Sequence, residues 1–380
     1  MLKKVVVKNF KCFKKETEFD FKKTNYKLLE QNTKGKLLKG ALFVGDNASG
    51  KTTAIQPMKL LLDLLFKDED VSLALFQCLF SKDKTTSIGY EFEIENHEIE
   101  YKFSFSGNEF VEEVLTVDGK EVIVRIGNNA KLCFNQNEAL HEVDSSLLFL
   151  KRFYFSTKFE GDKILLKWFE FLKQSIYVNA YSRKVITYNG EALVMQKYFE
   201  KYGIEEINHF FKMNNFQYSI QYTQEIEKQG IRYELEKEEE KMVFFERRDV
   251  DVPIPIFLES TGNQTLINIL PAILCAVKRG GMLIIDEFSS GFHNKLEELV
   301  VRYIMNNSDG TQLFFVSHST NLLSNALLRP DQIYAVEMMG SEGSVLNRFS
   351  DEQPRVAQNL EKMYLSGEIG GIPEYAIKQE

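Results

Sequence analysis

Gly45-Asp46-Asn47-Ala48-Ser49-Gly50-Lys51-Thr52 fits the phosphate-binding pattern G-x-x-x-x-G-K-[ST] at every fixed position. Just before it, Ala41 to Val44 read as a short apolar strand. Just after it, Ala54, Ile55, Met58, Leu61, Leu62 and Leu65 recur at helical spacing. Strand, loop and helix in that order are the context the pattern needs, and a bare glycine turn requires neither Lys51 nor Thr52 at those offsets. The residue types carry the chemistry. Backbone N–H groups of the loop can curl round a β-phosphate at the positive end of the following helix, and Lys51 can reach the β and γ oxygens. The Thr52 hydroxyl can hold Mg²⁺, and Thr53 is expected with the loop in the nucleotide-binding set.

Working outward, the 380 residues suit one large or two medium domains, and 44% apolar with 27% charged residues is the balance of an ordinary globular protein. A net charge of −8 argues against general coating of nucleic acid. The charge is uneven, however. The first 39 residues hold twelve Lys against Glu16, Glu18, Asp20 and Glu30, which reads either as a solvated edge that blocks aggregation or as a local anion-facing patch. Cys12, Cys78, Cys133 and Cys275 form no C-x-x-C pair, so neither a zinc site nor a disulfide framework is expected. No membrane segment or cleavable leader is apparent, since MLKKVVVKNF lacks a long apolar stretch. A cytoplasmic setting is the expectation.

Val5 to Phe21 read as strands, the helix after the loop is expected over Gln56 to Phe66, and a second helical stretch follows to about Phe80. Gly89 to Val124 alternate strongly, with turns at Glu95-Asn96-His97, Ser106-Gly107-Asn108 and Asp118-Gly119-Lys120, and predict an antiparallel meander. From Leu147 to Phe211 the pattern is helical, strand signals return between Phe216 and Phe257, and Glu234 to Lys241 is a dense charge run. The expected organisation is an α/β P-loop core split in sequence over 1–145 and 251–380, with a mainly helical lobe inserted at 146–250.

Met282-Leu283-Ile284-Ile285-Asp286-Glu287 is an apolar run ending in two carboxylates, the form of a buried parallel strand that delivers acids to the carboxyl edge of a sheet. Asp286 is expected to bind Mg²⁺ through water and Glu287 to activate the attacking water. Thr311 to Ser317 form another such strand, ending at His318, whose neutral imidazole can hydrogen-bond a γ-phosphate. Glu259-Ser260-Thr261-Gly262-Asn263-Gln264 precedes a helix expected over Thr265 to Val277. Read alone, it is a Ser/Thr cap or an anion-binding nest.

The order of these four elements resembles the ABC-type ATPases, with Walker A, signature, Walker B and switch histidine in that succession. Within that group the chain is similar to the AAA-labelled ATPases related to the OLD nucleases and the chromosome-maintenance ATPases. The opening Val5-Val6-Val7-Lys8-Asn9-Phe10-Lys11-Cys12-Phe13, the loop itself and the Glu259 to Gln264 signature carry the likeness. Asp331 to Glu337 and Tyr364-Leu365-Ser366-Gly367 resemble the tail of the abortive-infection (AbiL/RloA-like) subgroup. The resemblance implies an ABC-ATPase-like core with a mixed, largely parallel sheet. It implies ATP and Mg²⁺ as ligands, with Glu287, His318 and Lys51 catalytic. Ser260, Thr261, Gly262 and Gln264 would close on ATP held by a second copy, so a head-to-tail homodimer or higher even assembly is implied. It also implies phage defence with a separately encoded nuclease or toxin. Asn263 stands where many signatures have glycine, and either Ser260 or Thr261 could be the signature hydroxyl. No glutamine is singled out for the Q-loop, Gln56 and Gln77 both lying downstream of the phosphate loop. Ser289-Ser290-Gly291-Phe292-His293 resembles the dimer-contacting loop, with His293 structural. A DNA-clamping repair ATPase using the Lys-rich edge is the alternative, set back by the absence of a sustained heptad run. Only 62 residues follow His318 (380 − 318), too few for the OLD group's own nuclease domain.

Overall fold

The computed structural model describes residues 1–135, 137–228, 231–234 and 241–372. At the centre lies a seven-stranded sheet in the order Lys184–Thr187, Ile176–Asn179, Gly281–Asp286, Thr311–Val316, Gly40–Gly45, Ile333–Met338, Ser344–Arg348. The five inner strands run parallel and the two edge strands antiparallel. Parallel strands covered on both faces are apolar throughout. Gly281–Asp286 and Thr311–Val316 are accordingly buried at every residue.

The period of two along these strands divides the interior. Met282, Ile284, Phe314 and Val316 face one core, shared with α1 (Lys51–Phe66), α2 (Phe149–Thr157) and α3 (Lys163–Lys173). Leu283, Ile285, Leu313 and Phe315 face the other. That second core is built with α4 (Met195–Tyr202), α5 (Glu205–Met213), α6 (Thr261–Arg279), α7 (Asn294–Asn307) and α8 (Leu360–Leu365).

The expected meander is part of an eight-stranded antiparallel sheet that begins with Leu2–Lys8 and Thr17–Asp20 and runs from Thr85–Ile94 out to Asn137–Glu142. Its last two strands, Asn129–Phe134 and Asn137–Glu142, escaped the sequence reading. The edge strand is almost wholly exposed, and a strand with no buried face leaves no alternation to read. The sheet's inner face packs on the first core through Phe92 and Tyr101, whose ring centroids lie 5.5 and 6.1 Å from that of Trp168.

Two helical expectations need correction. The stretch expected as helix to Phe80 is only a 3₁₀ turn at Leu73–Phe76, since its apolar residues form no continuous buried face: Leu75, Leu79 and Phe80 are exposed. Within Leu147 to Phe211 the structure has α2 to α5 but also the strands Ile176–Asn179 and Lys184–Thr187 in the central sheet. The region 146–250 therefore contributes to the core as well as carrying α4, α5 and two strands, Tyr218–Thr223 and Met242–Arg247, of a small sheet completed by Ile254–Pro255. Of the charge run 234–241, residues 235–240 lie outside the described residues. Cys78 and Cys275 are buried free thiols, and Cys12 and Cys133 are partly buried.

Candidate nucleotide site

Register brings the chemistry to one edge. Val336 pairs with Gly45, Val316 with Phe43 and Asn179 with Asp286, so the strand ends at the loop, at Asp286 and at His318 line up at the sheet's carboxyl edge. Gly45 has φ 151°, Ala48 φ 60° and Gly50 φ 109°, and the loop turns directly into α1 at Lys51. A Cβ on Gly50 would lie 2.5 Å from Cys12 Sγ and 3.0 Å from Ser344 Oγ. Gly50→Ala therefore meets both a left-handed backbone and a closed wall, and strain of about 1–3 kcal/mol is expected there. Loss of ATP affinity with the fold retained, read by calorimetry, is the expected outcome.

Lys51 Nζ donates to Gly45 O (3.0 Å) and Asp46 O (2.5 Å), so the ammonium arches across the loop where phosphate oxygens would be received. Burial lowers its pKa, and the charges of Asp46, Glu287 and Asp286 oppose that shift. Thr52 Oγ1 donates to Asp286 Oδ1 at 3.0 Å, and the Glu287 N–H donates to the same oxygen at 3.1 Å. Asp286 is buried, and burial raises its pKa against the Thr52 hydrogen bond. A divalent cation would restore its charged form. The oxygen-only pair of Thr52 and Asp286 fits Mg²⁺ shared with phosphates, and the turn from Gly45 to Gly50 with the Lys51 ammonium across it fits a phosphate chain. Bound there, the metal would neutralise charge on the β and γ oxygens.

Glu287 itself sits at φ 55°, directly after the strand ends at Asp286, a conformation that costs a residue with a Cβ energy. Ser290 Oγ lies 3.5 Å from its Oε2. His318 is exposed, and its backbone N–H donates to Ser289 Oγ at 3.2 Å. Partial burial and the Lys51 charge hold the imidazole below the ordinary histidine range, with Glu287 and Asp46 acting the other way. Lys51, Glu287, Asp46 and His318 thus share one electrostatic neighbourhood. Since the depressed pKa keeps His318 neutral at neutral pH, turnover should hold level there and fall only on the acid side of the ordinary histidine range. His318→Ala should lose turnover roughly a hundredfold while ATP affinity stays, and should lack that acid limb in a pH–rate profile.

The signature residues lie elsewhere in the chain's own fold, at the start of α6. Ser260 caps that helix, its Oγ accepting from the Asn263 N–H at 3.3 Å, which is the cap reading. Thr261 is exposed as the first helical residue. Gln264 is committed internally: Nε2 donates to Glu259 O (2.8 Å) and Oε1 accepts from Arg183 (2.9 Å). Glu259 is buried in an Arg247 fork at 2.7 and 2.8 Å. Burial works to raise its pKa, but the Asn263 and Arg247 hydrogen bonds win and it is lowered. Among the described residues no hydrogen bond joins Ser260, Thr261, Gly262 or Gln264 to the phosphate loop, whereas Asp286, Glu287 and His318 stand at the loop's own edge.

The structure adds Tyr177, from the neighbouring strand. Its hydroxyl hydrogen-bonds Asp286, and burial with the Asp286 charge pushes its pKa up to about 12. Tyr177 lies inside the stretch read as helix, so no strand-end signal pointed to it. Gln77 is bonded away to Asp83 O, Gln56 lines a cavity beside Thr52, and His293 caps α7 through Nδ1.

The family model described as "AAA domain, putative AbiEii toxin, Type IV TA system" matches residues 41–324, spanning the loop, the signature, Asp286, Glu287 and His318. The chain belongs to this family. It is an AAA-type ATPase whose fold is similar to that of SMC heads. The SMC head domain from Thermotoga maritima is 15% identical with a TM-score of 0.50 over 91% of this chain and 97% of that one. An Smc head solved with the C-winged helix domain of ScpA is 12% identical with a TM-score of 0.51, covering 91% and 96%. An Smc head with an extended coiled coil, bound to a ScpA C-terminal domain derived from Pyrococcus furiosus, is 11% identical with a TM-score of 0.50, covering 97% and 99%. No curated protein matches this AAA ATPase in sequence. Among its described residues no helix is long and apolar enough to cross a membrane.

Proposed function

We propose that this AAA ATPase binds and hydrolyses Mg-ATP, that two copies close head to tail on two nucleotides, and that the closed pair controls a separately encoded nuclease or toxin in antiphage defence. The observation that carries the enzymatic part is the 3.0 Å Thr52–Asp286 bond with Lys51, Glu287 and His318 about the same sheet edge. Lys51 holds the phosphates, Thr52 and Asp286 the metal, and Glu287 the attacking water. The α6 N-terminus, rigid through the Glu259–Arg247 pair, supplies Thr261 and backbone N–H groups to the partner copy's γ-phosphate. Regions 1–145 and 251–380 are read as the nucleotide unit and the outer part of 146–250 as the effector-facing part. Tyr181 and Tyr202 are exposed there, while Tyr188 and Tyr198 are packed inside.

Phosphate release from ATP tests the enzymatic part. Turnover is expected that EDTA abolishes and Asp286→Asn cuts at least tenfold; metal-independent turnover would remove Thr52 and Asp286 from the reading. The DNA-clamping alternative has weaker support, because much of the Lys-rich edge is neutralised. Lys3 and Lys4 pair with Glu91, Glu98 and Glu18, Lys14 and Lys15 with Glu342, and Lys23 with Glu30. An ATP-stimulated duplex affinity with a steep salt slope would favour it instead.

A further inference from the structure

His318 sits in the short segment Ser317-His318-Ser319, which follows directly on the Thr311–Val316 strand. A carboxylate that the nucleotide chemistry does not use grips this segment on both sides of the histidine. Glu297, buried on α7, accepts from Ser319 Oγ at 2.8 Å and from Ser317 Oγ at 3.4 Å. Ser317 Oγ in turn accepts from the Ser319 N–H at 3.0 Å, so the two serines are also tied to each other. Ser317 is wholly buried and Ser319 half-buried, which leaves His318 as the exposed residue of the three.

The place of Glu297 in α7 calls for an apolar residue. Val300, Val301 and Ile304 follow it at helical spacing and are buried in the second core, so Glu297 lies on the inward face of the helix. Among the described residues it makes no ion pair, and the charge beside it is another carboxylate, Glu298. A buried carboxylate without a counter-charge is costly, and a leucine there would spare the fold that cost. What the carboxylate obtains in return is a pair of hydrogen bonds to the two residues that flank His318, each stronger than a bond between neutral groups. The His318 ring feels the charges of Lys51, Glu287 and Asp46, so the direction in which this segment holds it matters to the nucleotide edge.

Resting on the ATPase reading above, we propose that Glu297 is a positioning residue, which clamps Ser317 and Ser319 and thereby holds the His318 imidazole toward the γ-phosphate. Without the clamp, the segment keeps its strand on one side but loses the fixed hydroxyls, and the ring spends less time in the productive orientation. Glu297 acts on turnover through His318, and nucleotide affinity, set at the phosphate loop, does not depend on it.

The test is a double-mutant cycle in ATP turnover, with Glu297→Leu, Glu297→Gln and Ser319→Ala each made in the wild type and in His318→Ala. Glu297→Leu is expected to lower kcat roughly tenfold with KM for ATP within about twofold, and Glu297→Gln, which keeps an acceptor for Ser319, to recover most of the loss. Ser319→Ala removes only a half-buried hydroxyl, so it carries the cycle if Glu297→Leu does not fold, and it is expected to lower kcat about threefold or more. In the His318→Ala background each change is expected to cost less than about twofold, since the group it positions is gone. Unchanged kcat, a fall in ATP affinity instead, or an equal fall in both backgrounds would overturn the assignment. A wild-type chain without ATP turnover would overturn the ATPase reading itself, so the two failures are separable.

Discussion

Glu287→Gln is expected to bind Mg-ATP at least as well as the wild type and to release phosphate roughly a hundred- to ten-thousandfold more slowly. The change keeps shape and the Ser290 contact but removes the proton acceptor at the end of the Gly281–Asp286 strand. Asp286, one residue earlier, still receives Thr52, so metal and nucleotide stay bound while the water is no longer activated. Removing one negative charge beside buried Asp286 also lessens the repulsion that raises its pKa, which favours metal binding. Single-turnover phosphate release alongside equilibrium ATP binding separates these effects. A mutant that hydrolysed normally would take the base role away from Glu287.

The largest expected effect on stability lies far from that edge, at Glu113→Ala. Glu113 and Arg125 are both completely buried, with Oε2 and Nη1 3.6 Å apart. The carboxylate accepts from Tyr101 OH (2.9 Å) and from the N–H groups of Phe149 (2.8 Å) and Leu150 (2.7 Å), so it caps α2 from the sheet. Arg125 donates to Gly127 O, Leu147 O and Asp144 O. Removing the carboxylate leaves a buried guanidinium without its counter-charge and two helix N–H groups without an acceptor. A loss of about 3–5 kcal/mol is expected. Glu113→Gln, which keeps one acceptor, should lose less. The midpoint of urea unfolding checks both, and a loss under about 1 kcal/mol for Glu113→Ala would show that the network is not a stability determinant.

The contrast between these sites shows what the sequence could disclose. Lys51, Thr52, Asp286 and Glu287 were legible because their roles depend on local order: a glycine loop between strand and helix, and an apolar run ending in acids. Gly281–Asp286 and Thr311–Val316 are continuous buried runs, bounded in the structure within a residue of where the pattern ends. Ile176–Asn179 was not legible. It is four residues long, its neighbour Lys184–Thr187 is as short, and its parallel partner Gly281–Asp286 lies far along the chain, so no run long enough to show alternation marks it off from the helical pattern around it. With it went Tyr177. Glu113 was hidden for a related reason: a glutamate in an alternating strand reads as solvent-facing until Phe149, Leu150 and Arg125 are brought to it by the fold. The signature stretch was legible as a helix start, yet its proposed partner surface belongs to another copy.

The account stands most directly on that second copy. The measurement is the solution mass of wild type and Glu287→Gln with and without Mg-ATP. The account predicts that Mg-ATP shifts Glu287→Gln to a stable dimer or larger even assembly, while the wild type shifts only transiently as it hydrolyses. ATP bound to Glu287→Gln with no change in mass would contradict the composite site, and the roles given to Thr261 and the α6 N-terminus would be withdrawn first.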